Sequence, residues 1–109
     1  MAVARKVLGQ AALAATTLTD VYTVPGATSA VISTITVCNR SATPTTFRLA
    51  VAPASEPNDV KHYLAFDAPL AANEVWSFTI GATLAATDVL RAYAAAATVS
   101  VTAFGEEQS

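Results

Sequence analysis

Residues 30–40 read Ala-Val-Ile-Ser-Thr-Ile-Thr-Val-Cys-Asn-Arg. Valine, isoleucine and threonine branch at Cβ, which stiffens χ1 and suits a pleated strand better than a helix. Alternation puts Val31, Ser33, Ile35 and Val37 on one side and Ile32, Thr34, Thr36 and Cys38 on the other. Neither side is polar enough for open water. The run is expected in the middle of a sheet, its second face covered by another layer or by a neighbouring chain.

Toward the N-terminus, 18–24 alternates as a shorter strand, and Pro25-Gly26 ends it. Proline presets φ for the first central turn position and glycine accepts the positive φ of the second, the recipe of a type II turn. Residues 1–14 have weak strand character and are expected as an edge strand or as an arm on a neighbour. Val3, Val7, Leu8 and Leu13 would tie that arm down.

Toward the C-terminus, 39–45 is turn-rich and leads into 46–51, where Phe47, Leu49 and Val51 alternate with Thr46, Arg48 and Ala50. Arg48 then faces water or a partner. After a polar loop over 52–59, residues 60–67 set Val60, His62, Leu64 and Phe66 against Lys61, Tyr63 and Ala65. In 75–80, Trp76, Phe78 and Ile80 oppose Ser77 and Thr79, and this face is expected at the centre of the core. The last strands are 88–94 and 97–104. Residues 106–109 read as a solvated acidic tail, leaving 15–105 as the single domain. Seven to eight short strands without a helical period predict an all-β chain, a small antiparallel β-sandwich of jelly-roll or Ig-like type.

Leu13-Ala14-Ala15-Thr16, Leu70-Ala71-Ala72-Asn73 and Leu84-Ala85-Ala86-Thr87 share one pattern. It reads as a turn in which the leucine plugs the end of the core, the alanines take the corner, and Thr or Asn hydrogen-bonds its own backbone.

With 109 residues the chain is one domain by size. Charged residues make up 13%, about half the usual share, against 53% hydrophobic. Much of the exterior must therefore be small and neutral, which favours self-association, a trimer being one closed form, or packing into a larger assembly. A net charge of −2 with six scattered basic residues argues against nucleic-acid binding. No apolar run is long and unbroken enough for a membrane helix.

Chemistry-bearing residues are sparse. His62 is the one histidine, so any triad or histidine metal site must use it, and its neighbours offer no partner at a convincing spacing. Cys38, the one cysteine, reads as a small buried residue. Glu56, Asn58 and Asp59 cluster oxygens without the spacing of a calcium loop. Asn39-Arg40-Ser41 matches the glycosylation sequon only as a common tripeptide. No enzyme, metal or cofactor is expected.

Val21-Tyr22-Thr23-Val24-Pro25 with its glycine, Ile35-Thr36-Val37-Cys38-Asn39-Arg40-Ser41, Lys61-His62-Tyr63-Leu64-Ala65 and Leu84-Ala85-Ala86-Thr87-Asp88-Val89 together resemble a family of small virion-associated proteins of tailed bacteriophages. The resemblance runs over 7–105. It implies a structural β-sandwich subunit of the virion, made in the bacterial cytoplasm, that binds copies of itself and other virion proteins. Its place would be capsid decoration or, alternatively, the tail, neck or baseplate. A host-attachment module binding carbohydrate through Tyr63, Trp76 and Tyr93 is a further alternative. The expected interface residues are Val3, Val7, Leu8, Leu13, Thr34, Arg48, Tyr63, Arg91 and Tyr93.

Overall fold

A computed structural model describes residues 2–109. The strands are β1 (Val3–Ala12), β2 (Thr19–Thr23), β3 (Ser29–Asn39), β4 (Thr45–Ala52), β5 (Tyr63–Leu70), β6 (Val75–Leu84), β7 (Val89–Ala94) and β8 (Val99–Gln108). They form two four-stranded sheets in the orders β1-β8-β3-β6 and β2-β7-β4-β5, and every strand pairing is antiparallel. The pairs β1·β8, β2·β7, β3·β6 and β4·β5 nest inside one another. The chain is thus one long hairpin with its tip between β4 and β5, rolled until β8 also meets β3 and β7 meets β4. This is the jelly-roll form of the expected sandwich.

The strand quoted first lies between β8 and β6, and Ile32, Ile35 and Val37 are fully buried. Strict alternation would have put Ile32 on the opposite face from Ile35. Ser33 breaks the phase: Ile32 pairs with Gly105 and Thr34 with Phe104, so β3 carries one extra residue. Its hydroxyl donates to the Phe104 carbonyl at 3.2 Å. The face expected to hold Ile32, Thr34, Thr36 and Cys38 is therefore divided, with Ile32 in the core and the other three half-buried outside. Cys38 is accordingly a half-buried residue of the outer face and not a core one. The irregularity continues into β6, where Ile80 and Gly81 together oppose Ser33 and Gly81 takes a φ of +62°.

One side of the sandwich is closed. A Cβ on Gly9 would lie 2.2 Å from the Val21 carbonyl oxygen, so only glycine lets β1 settle this closely onto β2. Above this contact Tyr22 donates its hydroxyl to Glu107 at 2.5 Å, Lys6 lies 2.8 Å from the same carboxylate, and Arg5 pairs with Glu106 at 3.2 Å. These contacts correct the expected acidic tail and the 15–105 boundary. Glu106, Glu107 and Gln108 are strand residues paired with both β1 and β3, and β1 is an edge strand of the same sandwich. Basic residues about a hundred positions away neutralise the acids that looked solvated.

The opposite side is open. β6 is the other edge of its sheet, so the expectation that Trp76, Phe78 and Ile80 sit at the core's centre is wrong. Pairing with Val37 and Ile35 keeps Trp76 and Phe78 on the inner face. Their rings each lie 6.1 Å from the Phe47 ring, yet Trp76 is 37% and Ile80 41% exposed. The second sheet does not extend far enough to cover them.

The repeated turn pattern performs as read in its first half: Leu13, Leu70 and Leu84 are buried plugs. Its fourth residue is left-handed each time, with φ of 54° at Thr16, 55° at Asn73 and 68° at Thr87. The following carboxylate closes two of the turns. Ala71 N–H donates to Glu74 at 2.7 Å and Ala85 N–H to Asp88 at 2.8 Å, in place of the expected Thr or Asn contact, which is made in the first turn, where the Thr16 hydroxyl donates to the Ala15 carbonyl at 2.7 Å. At Pro25-Gly26 the positive φ falls on Ala27, at 56°, and not on the glycine, so the turn is not type II. Val24 stays hydrogen-bonded to Asp88 and Thr87, which holds the strand up to the proline and moves the left-handed position one residue on.

Candidate interaction surface

The polar chain ends and loops are used internally. His62 is buried in the 3-10 turn Val60–His62, which replaces the first residues of the strand expected over 60–67. Its Nδ1 accepts from the Asp59 N–H at 3.3 Å and its Nε2 lies 3.1 Å from Glu56. Asp59 in turn accepts from the Lys61 N–H, and Asn58 donates to the Tyr63 hydroxyl. The three residues of the oxygen cluster are thus engaged with three different partners. Among the described residues no three His, Cys, Asp or Glu side chains are grouped to hold a metal ion.

The sequence places Asn39 at the start of a turn and in a sequon, and neither reading shows its role. It is 1% exposed, donates to the carbonyls of Thr43 at 2.9 Å and Ala71 at 3.1 Å, and accepts from Ser41 N–H and the Thr98 hydroxyl. One amide therefore ties together the β3–β4, β5–β6 and β7–β8 connections. Its burial also keeps its nitrogen from any glycosylating enzyme.

Four of the expected interface residues gather on the outer face of the β2-β7-β4-β5 sheet. Register sets Arg48 beside Tyr93, and Ala50 beside both Arg91 and Tyr63. A bulge in β5 makes Phe66 and Asp67 together oppose Arg48, Asp67 with φ of 50°. Both side chains therefore aim at one guanidinium. Asp67 accepts from it at 2.6 and 3.3 Å, while the Phe66 and Tyr93 rings lie 4.0 and 4.3 Å from its carbon. Tyr63 packs edge-on against Phe66 at 4.9 Å. Arg91 is held by Asp20 at 2.9 Å and by the Glu56 carbonyl at 2.8 Å. The arginines of this face are paired within the chain.

On the outer face of the other sheet, Val7 and Thr34 flank Phe104 from the two neighbouring strands. Val7 and Phe104, with Arg5, Val31, Ser33 and Glu106, border a shallow hollow of about 590 Å³. Val3, on the same edge strand, is 49% exposed. Two of the expected residues do not belong to any surface: Leu13 is 2% exposed in the core, and Leu8 packs half-buried against it. The bulge at Leu8 and the turn after β1 direct both inward.

A further set of exposed apolar side chains is one that sequence reasoning assigned to the core or left out. Val60, Leu64, Phe66, Val75, Trp76 and Ile80 are all exposed and all lie on or beside β5 and β6, the two edge strands of the open side. The rings of Trp76 and Phe78 stack at 5.6 Å with 21° between planes. Gly81, an isolated glycine inside a strand pattern, was the available sign of the bulge that interrupts β6. Tyr63 and Tyr93 lie on the outer face of one sheet and Trp76 on the inner face of the other, so these three form no common sugar platform.

No family model and no curated protein matches this sequence. Geometry and side-chain chemistry carry the functional reading.

Proposed function

We propose that this chain is a non-enzymatic structural subunit of a tailed-phage virion, a decoration protein that acts by binding copies of itself and neighbouring capsid proteins. The observation that carries this reading is the band of exposed large apolar side chains on the open side, in a chain whose charged groups are mostly paired internally. Large apolar side chains left exposed along strand edges mark a binding site, because water is expelled from them on association. The jelly roll is a frequent fold of capsid proteins and equally of lectins, so fold alone does not choose between them. The locked state of His62, the division of the aromatic residues and the resemblance to virion proteins favour the structural role.

The test is co-sedimentation of the purified protein with particles that lack it. Binding at a fixed ratio per particle is expected. Thr34→Arg, on the half-buried outer face beside Phe104, should leave the circular dichroism unchanged and weaken that binding. No co-sedimentation with capsid shells, tails or complete particles removes the reading.

A further inference from the structure

The inner edge of the open side has a property beyond being apolar: it matches itself. From Trp76 to Ile80 the sequence is Trp-Ser-Phe-Thr-Ile, an alternation of apolar and hydroxyl residues that reads alike in both directions about Phe78. We propose that β6 pairs edge to edge with β6 of a second copy, antiparallel, across a two-fold axis at Phe78. The two β1-β8-β3-β6 sheets then run on into one. This names the self-contact in the structural role proposed above and rests on that role only for its biological setting.

Three observations support a second copy as the occupant. First, β6 pairs with β3 alone, leaving the other row of its backbone N–H and C=O groups without a strand neighbour. Natural edges are commonly guarded against self-pairing by lysine or proline. β6, Val75–Leu84, contains no charged residue and no proline. Like charges therefore do not meet when two copies approach.

Second, the alternation restricts the register to even shifts, and of these only the one centred on Phe78 opposes apolar to apolar and hydroxyl to hydroxyl over all of 76–80. Residues paired in an antiparallel ladder share a face, so Phe78 must meet Phe78, Trp76 must meet Ile80, and Ser77 must meet Thr79. In this register every inner-face residue meets an apolar partner and every outer-face residue a hydroxyl. A shift by one would oppose inner to outer side chains throughout. The bulge at Ile80 and Gly81 ends the pairing on one side, and the turn before Val75 ends it on the other.

Third, exposed apolar side chains flank this edge. A stable isologous interface covers roughly 600–1,000 Å² per copy, between about a tenth and a fifth of the 5441 Å² this chain exposes. The open side supplies Trp76, Ile80 and Val75 from β6 and Leu64 from the β5 edge, all more than a third exposed.

The test uses two double variants on the exposed outer face of β6, where the core is untouched. In the proposed register, Ser77→Lys with Thr79→Lys opposes lysine to lysine across the axis, whereas Ser77→Lys with Thr79→Glu opposes lysine to glutamate. Analytical ultracentrifugation should find the wild type dimeric at about 100 µM. The lysine pair should be monomeric, with dissociation raised at least tenfold and an unchanged circular dichroism spectrum. The lysine–glutamate variant should be dimeric. Trp76 emission should shift to the blue on dimerisation and stay red in the lysine pair. A monomeric wild type at that concentration, or equal association of the two variants, overturns the pairing. A dimer without affinity for particles removes the virion assignment and not the pairing, and a monomer that binds particles does the reverse.

Discussion

At the scale of single residues, Asn39 shows how one side chain can organise loops that are far apart in sequence. Its amide makes hydrogen bonds in both directions, and truncation leaves two carbonyls and two donors facing a buried void. Asn39→Ala is expected to destabilise the fold by about 2–4 kcal/mol, measured by urea unfolding. Thr87 lies at the other extreme. A β-branched residue at a φ of 68° is strained, whereas asparagine tolerates the left-handed region. No hydrogen bond of the Thr87 hydroxyl is lost by replacing it, since its contacts run through backbone N–H and C=O. Thr87→Asn should therefore stabilise by about 0.5–1 kcal/mol, raising the melting temperature by roughly 4 °C.

At the scale of elements, the seam where β1 and β8 meet β2 makes stability depend on pH. Hydrogen bonds from Lys6 and Tyr22 hold the Glu107 carboxyl below its usual range, and Gln108 and Arg5 do the same for Glu106. The unfolded chain takes up these protons at a higher pH than the folded one, so stability is full above the ordinary glutamate range and falls as pH drops through the native values. Burial, and then the Glu107 carboxylate, push the Tyr22 hydroxyl well above its ordinary 10.0. The sign there is opposite: stability is full below pH 10 and declines above it, because the unfolded tyrosine ionises first. Unfolding curves between pH 3 and 11 should show both slopes, and Glu107→Gln should flatten each of them. The same seam explains one misreading of the sequence. Glu106 and Glu107 follow a glycine near the end of the chain, and nothing local distinguishes a tail from a strand whose cations come from β1. Trp76 was misplaced for a related reason: alternation reports which face a side chain occupies, but a central and an edge strand alternate alike. The slip at Ser33 carries no glycine or proline, so β3 gave no local sign of it.

At the scale of the whole molecule, the class of fold was legible because it follows from summed local preferences. Branched and aromatic residues at a period of two, punctuated by Pro, Gly and Asn, specify a sandwich wherever they occur at this spacing. The order of strands was not legible, since it depends on which long-range pairs form. The surface was partly legible. Arg48, Tyr63, Arg91 and Tyr93 were picked out one by one, yet only the fold brings them onto a single face, and the broader apolar band came from strands assumed to be covered. The nested hairpin also has a kinetic meaning. Of the paired strands only β4 and β5 follow one another in the chain; β3·β6, β2·β7 and β1·β8 each enclose a longer stretch of chain. Closing them costs progressively more chain entropy, so pairing should start at the tip and zip outward, on the millisecond-to-second scale of non-local β-proteins. Stopped-flow measurements should find that weakening the inner pair, with Leu49→Ala, slows refolding. Weakening the outermost pair, with Val101→Ala, should instead hasten unfolding and leave the refolding rate nearly unchanged.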